Sequence, residues 1–177
     1  SKVDSLLITF GGTDQNDLTR KILFNVREYC QRKGIKIFVV TGSGYVHYKK
    51  LQNEAKNFDK SFLEVTHATG VMSRIMEKTP IAIASNGRTV YELAHMNIPG
   101  IIVPVNAREK THAFANKKNG FFPLKGFNKN TPNEVLKTLA ELVEDRTLRK
   151  KHFDRTLKFN FKNNKRNILN KIAELLH

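Results

Sequence analysis

Short apolar runs alternate with amphipathic segments along this chain, and most of the runs are closed by glycine, proline or serine. That alternation limits the fold severely, because parallel strands can be joined only by crossover connections, and helices are the usual crossover. Residues 6–10, Leu-Leu-Ile-Thr-Phe, read as a buried strand that turns at Gly11-Gly12. Asp17 is placed to cap a following helix in which Leu18, Ile22, Val26 and Cys30 recur at helical spacing, and Gly34 is placed to close it. Further strands are expected at 35–40, 62–65, 81–84 and 101–103. Helices are expected at 47–56, around Val71, Ile75 and Met76, at 89–96 and at 112–118. Asn97 in a left-handed conformation and Pro99 stop the helix at 89–96. Residues 121–124 read as a short extended piece, followed by amphipathic segments at 132–144, 148–159 and 166–176. The expected fold class is α/β: a Rossmann-like open parallel sheet with helices on both faces.

The 177 residues, 40% of them hydrophobic, are enough for one domain with a real core. Neither an internal repeat nor a low-complexity linker interrupts them. The single cysteine, Cys30, excludes a disulfide framework and a cysteine-rich zinc site, and suits a reducing, cytoplasmic setting. No apolar run approaches the roughly 18 to 20 residues that span a bilayer. Because the chain enters a strand almost at once, residues 1–177 are expected to be a single domain excised from a longer protein. Lys and Arg number 31 against 16 Asp and Glu, a net charge of +15, which directs attention to acidic partners: phosphate, nucleic acid or an anionic membrane.

In open parallel sheets ligands bind beyond the carboxyl ends of the strands, so function is sought in the loops that follow them. Gly11-Gly12-Thr13 can bring backbone N–H groups and a hydroxyl to an oxyanion, although glycine pairs also occur purely for turn geometry. Ser85-Asn86-Gly87-Arg88-Thr89 is a small-residue turn at a helix start that offers N–H groups and a guanidinium to phosphate. Glu92, one turn into that helix, can accept bonds from two ribose hydroxyls, or simply complement the positive helix end. The loop 106–112, with Arg108, Glu109 and His112, is dense in polar groups that suit a sugar or a second phosphate. Its plainer reading is a solvated helix start capped by Thr111. His67, in the loop after the strand at 62–65, has no second ligand at metal spacing. Neither Gly-x-x-x-x-Gly-Lys-Ser/Thr nor Gly-x-Gly-x-x-Gly is present, since Tyr45-Val46-His47 follows Gly42-Ser43-Gly44. No dinucleotide, metal or other cofactor is expected.

Phe-Gly-Gly-Thr-Asp at 10–14, paired with Ala-Ser-Asn-Gly-Arg-Thr-Val-Tyr-Glu-Leu-Ala at 84–94 and Ile98-Pro99, resembles the C-terminal half of GT-B-fold nucleotide-sugar enzymes. By motif the chain is most similar to the UDP-sugar hydrolase of pseudaminic-acid biosynthesis and to spore-coat polysaccharide proteins. The transferase that makes lipid II is a more distant cousin. The resemblance is clear from Leu6 to Leu124 and looser through Asn163 to Ile172. It implies binding of a UDP-sugar, with a CMP-sugar as the alternative. Glu92 would hold the ribose, and Ser85, Asn86, Gly87, Arg88 and Thr89 would meet the diphosphate. Gly11, Gly12 and Thr13 would line the cleft toward the sugar, while Val65, Thr66 and His67 frame the base. The pattern departs after Pro104, where relatives often carry Asn-Gln and this chain has Arg108-Glu109, which leaves the sugar open. The resemblance also implies a missing N-terminal half that supplies acceptor binding and the catalytic base. By itself the chain is therefore expected to bind a nucleotide without turning over the nucleotide-sugar.

Two other readings rest on the basic C-terminal stretch. Arg149, Lys150, Lys151, Arg155, Lys158, Lys162, Lys165 and Arg166, interleaved with Phe153, Phe159 and Phe161, would suit a nucleic-acid-binding module. Against this, Leu148, Phe153 and Leu157 fall near helical spacing and are expected to pack inward, leaving the lysines on a solvated face. The other reading is a partner-docking module whose basic surface meets the absent half of the protein.

Overall fold

A computed structural model describes residues 2–67, 70 and 72–159. Its strands are β1 (Ser5–Thr9), β2 (Lys36–Thr41), β3 (Leu63–His67), β4 (Ala82–Ser85), β5 (Gly100–Val103) and β6 (Phe122–Pro123). The helices are α1 (Leu18–Lys33), α2 (Tyr48–Ala55), α3 (Met72–Met76), α4 (Thr89–His95), α5 (Ala107–Lys110), α6 (Thr131–Glu144) and α7 (Arg146–Thr156). One six-stranded sheet runs in the order β3-β2-β1-β4-β5-β6, and every pairing is parallel. This is the expected Rossmann-like open sheet. The amphipathic segment expected at 166–176 lies outside the described residues.

Each central strand is buried on both sides, and its period of two divides the core into two layers. Leu6 and Ile8 of β1, Ile37 and Val39 of β2, and Ile83 of β4 pack toward α1 and α6, with Ile22, Val26, Val135 and Leu139. Leu7, Phe38, Ala82, Ala84 and Ile102 face the other way, toward Val90, Leu93 and Ala94 of α4. Complete burial of a leucine or isoleucine is worth about 1.5–3 kcal/mol, so these two layers are the main source of cohesion. Cys30 sits inside the first layer, where burial pushes its thiol up to about 12 and keeps it unreactive at neutral pH.

Three local expectations are corrected. Asp17 precedes α1 but adopts a left-handed conformation (φ 53°) and makes no side-chain cap. Asp14 does that work, its two carboxylate oxygens accepting the N–H groups of Leu18 and Thr19 at 2.9 and 2.8 Å. The helix expected at 112–118 forms earlier, as α5, because the Asn106 side chain accepts the Glu109 N–H at 2.8 Å and starts the turn there. Thr111 therefore ends a helix instead of capping one, and Asn116 opens a separate 3-10 turn at Lys117–Asn119.

Phe153 and Leu157 do not pack inward: they are 43% and 45% exposed. The inward residues of α7 are Leu148, which packs against the first core layer as expected, and the buried His152 and Thr156. A Cβ on Gly120 would come within 2.5 Å of the Thr156 methyl and 2.6 Å of the His152 carbonyl, so this contact is too close for large side chains. Asn97 Nδ2 fastens the same turn by donating to the Thr156 carbonyl at 2.7 Å.

His152 is 2% exposed and stacked on Phe122, and its Nδ1 finds no hydrogen-bond partner among the described residues. Burial holds its pKa below the ordinary value; a Gly120 backbone hydrogen bond opposes this, and nearby Arg155, Lys117 and Lys151 add to it. Protonation thus favours the unfolded chain. Its stabilising contribution is full above about pH 6.5 and is lost as pH falls through the lowered folded value. Urea unfolding at pH 7.5 and pH 5 is expected to show that loss, and His152→Gln is expected to flatten it.

Candidate functional site

The chain leaves β1 toward β2 on one side and reaches β4 on the other, so β1 and β4 are neighbours whose following loops diverge. At this switch of direction lies a cleft of about 590 Å³. Gly11, Gly12 and Thr13 form one wall. Ser85, Gly87, Arg88, Thr89 and Glu92 form the opposite wall, and Asn106 and Glu109 close one end, while Met72 also lines the cleft.

The glycine wall is built from outside the cleft. A Cβ on Gly42, just after β2, would lie 2.5 Å from the Gly12 Cα and 2.6 Å from the Gly12 carbonyl oxygen, so the loop after β2 presses directly on the backbone after β1. Three residues on, the buried Tyr45 hydroxyl donates to Asp17 at 2.6 Å. Arg20 bonds the other Asp17 oxygen at 2.7 Å and reaches Glu54 at 2.6 Å. Burial and the adjacent Asp17 carboxylate push the Tyr45 phenol upward, so it stays a hydrogen-bond donor. Asp14 fixes the far end of the loop to α1. Asp14→Ala is expected to cost about 1–3 kcal/mol, because two buried amides lose their acceptor; a midpoint shift in urea unfolding measures it.

The opposite wall is braced by the loop after β5. Buried Asn86 donates through Nδ2 to the carbonyls of Glu109 and His112 at 2.8 and 3.0 Å. Its own N–H goes to Glu109 Oε2 at 3.0 Å, and that oxygen also accepts the Val105 N–H at 3.0 Å. His112 Nδ1 lies 2.7 Å from the Asn86 carbonyl oxygen. Asn86 and His112 therefore hold the wall together from behind it, and Glu109 turns its second oxygen toward Gly87, 3.5 Å from where a Cβ there would stand. α4 starts beside the exposed Arg88 without a side-chain cap, and the N–H groups of Val90 and Tyr91 go to the carbonyls of Gly87 and Arg88 at 3.2 and 3.0 Å.

Of the residues singled out from sequence, Gly11, Gly12, Thr13, Ser85, Gly87, Arg88, Thr89, Glu92 and Glu109 meet around one space. Asn86 and His112 lie behind it, and exposed Arg108 is outside its lining. Val65 opens on a separate hollow beside Tyr48. Thr66 and His67 are not in the loop expected after the strand but are the last residues of β3, paired with Val40 and Thr41 of β2. His67 stacks on Tyr48, with ring centroids 3.9 Å apart, and bonds Thr41 at 2.9 Å, while Thr66 does not reach the wall. Sequence reasoning missed Gly42, Tyr45 and Met72, and placed Asn106 only within the loop 106–112. The Gly42-Ser43-Gly44 run was a usable signal for the first, as a marker of close backbone approach instead of a dinucleotide fingerprint.

The family model for the glycosyltransferase family 28 C-terminal domain matches residues 5–175. The chain belongs to this family. This family 28 C-terminal domain is 27% identical over 107 residues to an uncharacterized protein of Methanocaldococcus jannaschii, a match that covers 60% of this chain and 22% of that protein. In structure it is similar to the C-terminal domain of a group 1 family glycosyl transferase from Francisella tularensis, with TM-score 0.68, 11% identity, and 91% of this chain and 86% of that one covered. It is also similar to S. aureus MnaA in a co-structure with UDP, with TM-score 0.63 and 13% identity over 87% of this chain and 41% of that one. At these identities the two structures share the fold. The chain spans well under half of the M. jannaschii and S. aureus proteins. Among the described residues no helix is long and apolar enough to cross a membrane.

Proposed function

We propose that this domain binds the nucleoside diphosphate of a UDP-sugar as the C-terminal half of a GT-B-type enzyme. The observation that carries the reading is one cleft at the β1/β4 switch point, where Arg88 and the uncapped start of α4 stand beside Glu92, across from Gly11–Thr13. The diphosphate lies against Gly87, Arg88 and Thr89, where backbone donors and a guanidinium neutralise it. Ser85 and the Asn86 brace keep that turn in place. Glu92 accepts the ribose hydroxyls. The sugar points toward Gly11, Gly12 and Thr13, with the outer oxygen of Glu109 and the flanking Arg108 and His112 as its polar surroundings. The base extends past Met72, which lines the cleft, toward His67 at the end of β3; Val65, which opens on the hollow beside Tyr48, and Thr66 stand outside that surface.

Family membership and the fold shared with MnaA, which carries UDP in its co-structure, support the nucleotide. On this reading the parent protein is a hydrolase or glycosyltransferase of surface-polysaccharide or nonulosonic-acid biosynthesis, acting in the cytoplasm. Its N-terminal half supplies the acceptor site and the catalytic base. The present chain alone is then expected to bind UDP-sugars without turnover approaching about 1 per second.

The discriminating experiment is calorimetric titration with UDP, CMP, GDP and a short oligonucleotide at two salt concentrations. One-to-one UDP binding that weakens only gently with salt is expected, since a diphosphate engages few charges. A preference for CMP would reassign the base, and oligonucleotide binding that collapses with salt while UDP is ignored would sink the reading.

A further inference from the structure

A second groove, of about 810 Å³, lies across the sheet from the cleft, at the entry ends of the strands. It runs between the turns before β4 and β5 and the outer side of α7, and Met76, Met96, Ile98, Pro99 and Phe153 give it an apolar lining. Phe153 lines it, and Leu157, one turn further on in the 3-10 turn that follows α7, is likewise nearly half exposed. Arg146 and Lys150 share the Phe153 stripe of α7, at positions i, i+4 and i+7 with it, and Lys151 flanks it, while Lys158 is engaged elsewhere, its Nζ bonding the Lys118 carbonyl and Asn119 Oδ1 at 3.1 and 2.7 Å. Asp154 is the only acid on α7, and Lys150 holds it in a solvent-exposed pair at 2.6 Å. Among the groove residues Lys2, Lys78, Arg146, Arg149 and Lys150 outnumber Asp4, Glu77 and Asp154.

An exposed aromatic and an exposed leucine set among lysines match one partner chemistry above others. Protein interfaces are depleted of lysine, whereas flexible ammonium stems suit a fluid, negatively charged surface and let their methylenes lie along apolar material. A single strand of nucleic acid would need flat rings on which to stack bases, and Leu157 offers none. We propose that this face, Arg146, Lys150, Phe153 and Leu157 with the adjoining groove, docks on an anionic lipid bilayer. Phe153 and Leu157 enter the boundary of the acyl chains while the flanking cations lie among the headgroups. Because the face and the cleft occupy opposite ends of the strands, a docked domain keeps its cleft open. The proposal does not depend on what the cleft binds.

The test is co-sedimentation of the full chain with phosphatidylcholine vesicles, with and without phosphatidylglycerol, at low and physiological salt. Binding is expected only with phosphatidylglycerol, weaker in salt and unaffected by saturating UDP. The double variant Phe153→Ser/Leu157→Ser removes side chains already half in water, so its fold is expected to survive, as circular dichroism checks. Its partition onto the vesicles is expected to drop about tenfold or more. Lys150→Glu/Lys151→Glu, which leaves both apolar residues in place, is expected to lose binding as well. Failure to bind the anionic vesicles, or equal binding by the folded Phe153/Leu157 variant, would overturn the proposal. So would a concentration-dependent dimer, or oligonucleotide binding, that disappears in that variant, since either would assign the face to another partner.

Discussion

Replacing Glu92 with alanine is expected to weaken UDP binding by about 1.5–3 kcal/mol, roughly ten- to a hundredfold, because a charged acceptor of ribose hydroxyls is lost. The fold should hardly notice. Glu92 is exposed on the cleft side of α4, and its removal forfeits only a helix-end interaction of about 0.3–1 kcal/mol. A second measurement separates the ribose assignment from general electrostatics. Wild type should distinguish UDP from 2′-deoxy-UDP, and Glu92→Ala should not. If the variant keeps full UDP affinity, or keeps the discrimination, the carboxylate holds something other than the ribose.

Gly42→Ala is expected to be the most damaging single-methyl change near the cleft. The new Cβ would stand 2.5 Å from one backbone atom of Gly12 and 2.6 Å from another, and 2.9 Å from the Gly11 carbonyl oxygen, so no side chain can swing away to relieve it. The loop after β1 has to shift. Overpacking of this kind costs about 1–3 kcal/mol, and the displaced Gly11–Thr13 wall should lower UDP-sugar affinity about tenfold or more. UDP, which lacks the sugar facing that wall, should lose much less. Thermal unfolding together with the UDP-sugar-to-UDP affinity ratio checks both halves of this expectation. An unchanged ratio would mean that the glycine wall does not meet the ligand.

Most of the sheet was legible in the sequence because its strands are buried on both faces, so that runs such as Leu-Leu-Ile and Ile-Ala-Ile-Ala stand out without any partner in view. The cleft residues were legible for a related reason. Glycine turns, Arg88 and Glu92 announce their chemistry locally, and the rule for parallel sheets places their loops at one end. What stayed hidden depends on contacts between distant segments. Gly42 matters because β2 lies beside β1, and Asn86 turned inward because the loop after β5 offers it two carbonyls. Asp14 and Asp17 are equally plausible caps by spacing, and only the left-handed turn at Asp17 decides between them. Phe153 and Leu157 follow a core-like periodicity, yet the surface beneath the later turns of α7 is tight backbone around Gly120, which His152 and Thr156 meet, while only Leu148 of the expected three packs on the core. Hydrophobic spacing marks a stripe on a helix, and what the stripe faces is set by the neighbouring surface.

The most direct test of the central claim is a nuclear magnetic resonance titration of the labelled chain with UDP, following every backbone amide. Saturable, one-to-one shifts are expected, concentrated at Gly11–Thr13 and from Ser85 to Glu92, with the amides of α7 undisturbed. Shifts centred on α7 or scattered over the basic surface, or none at all at millimolar UDP, would contradict it.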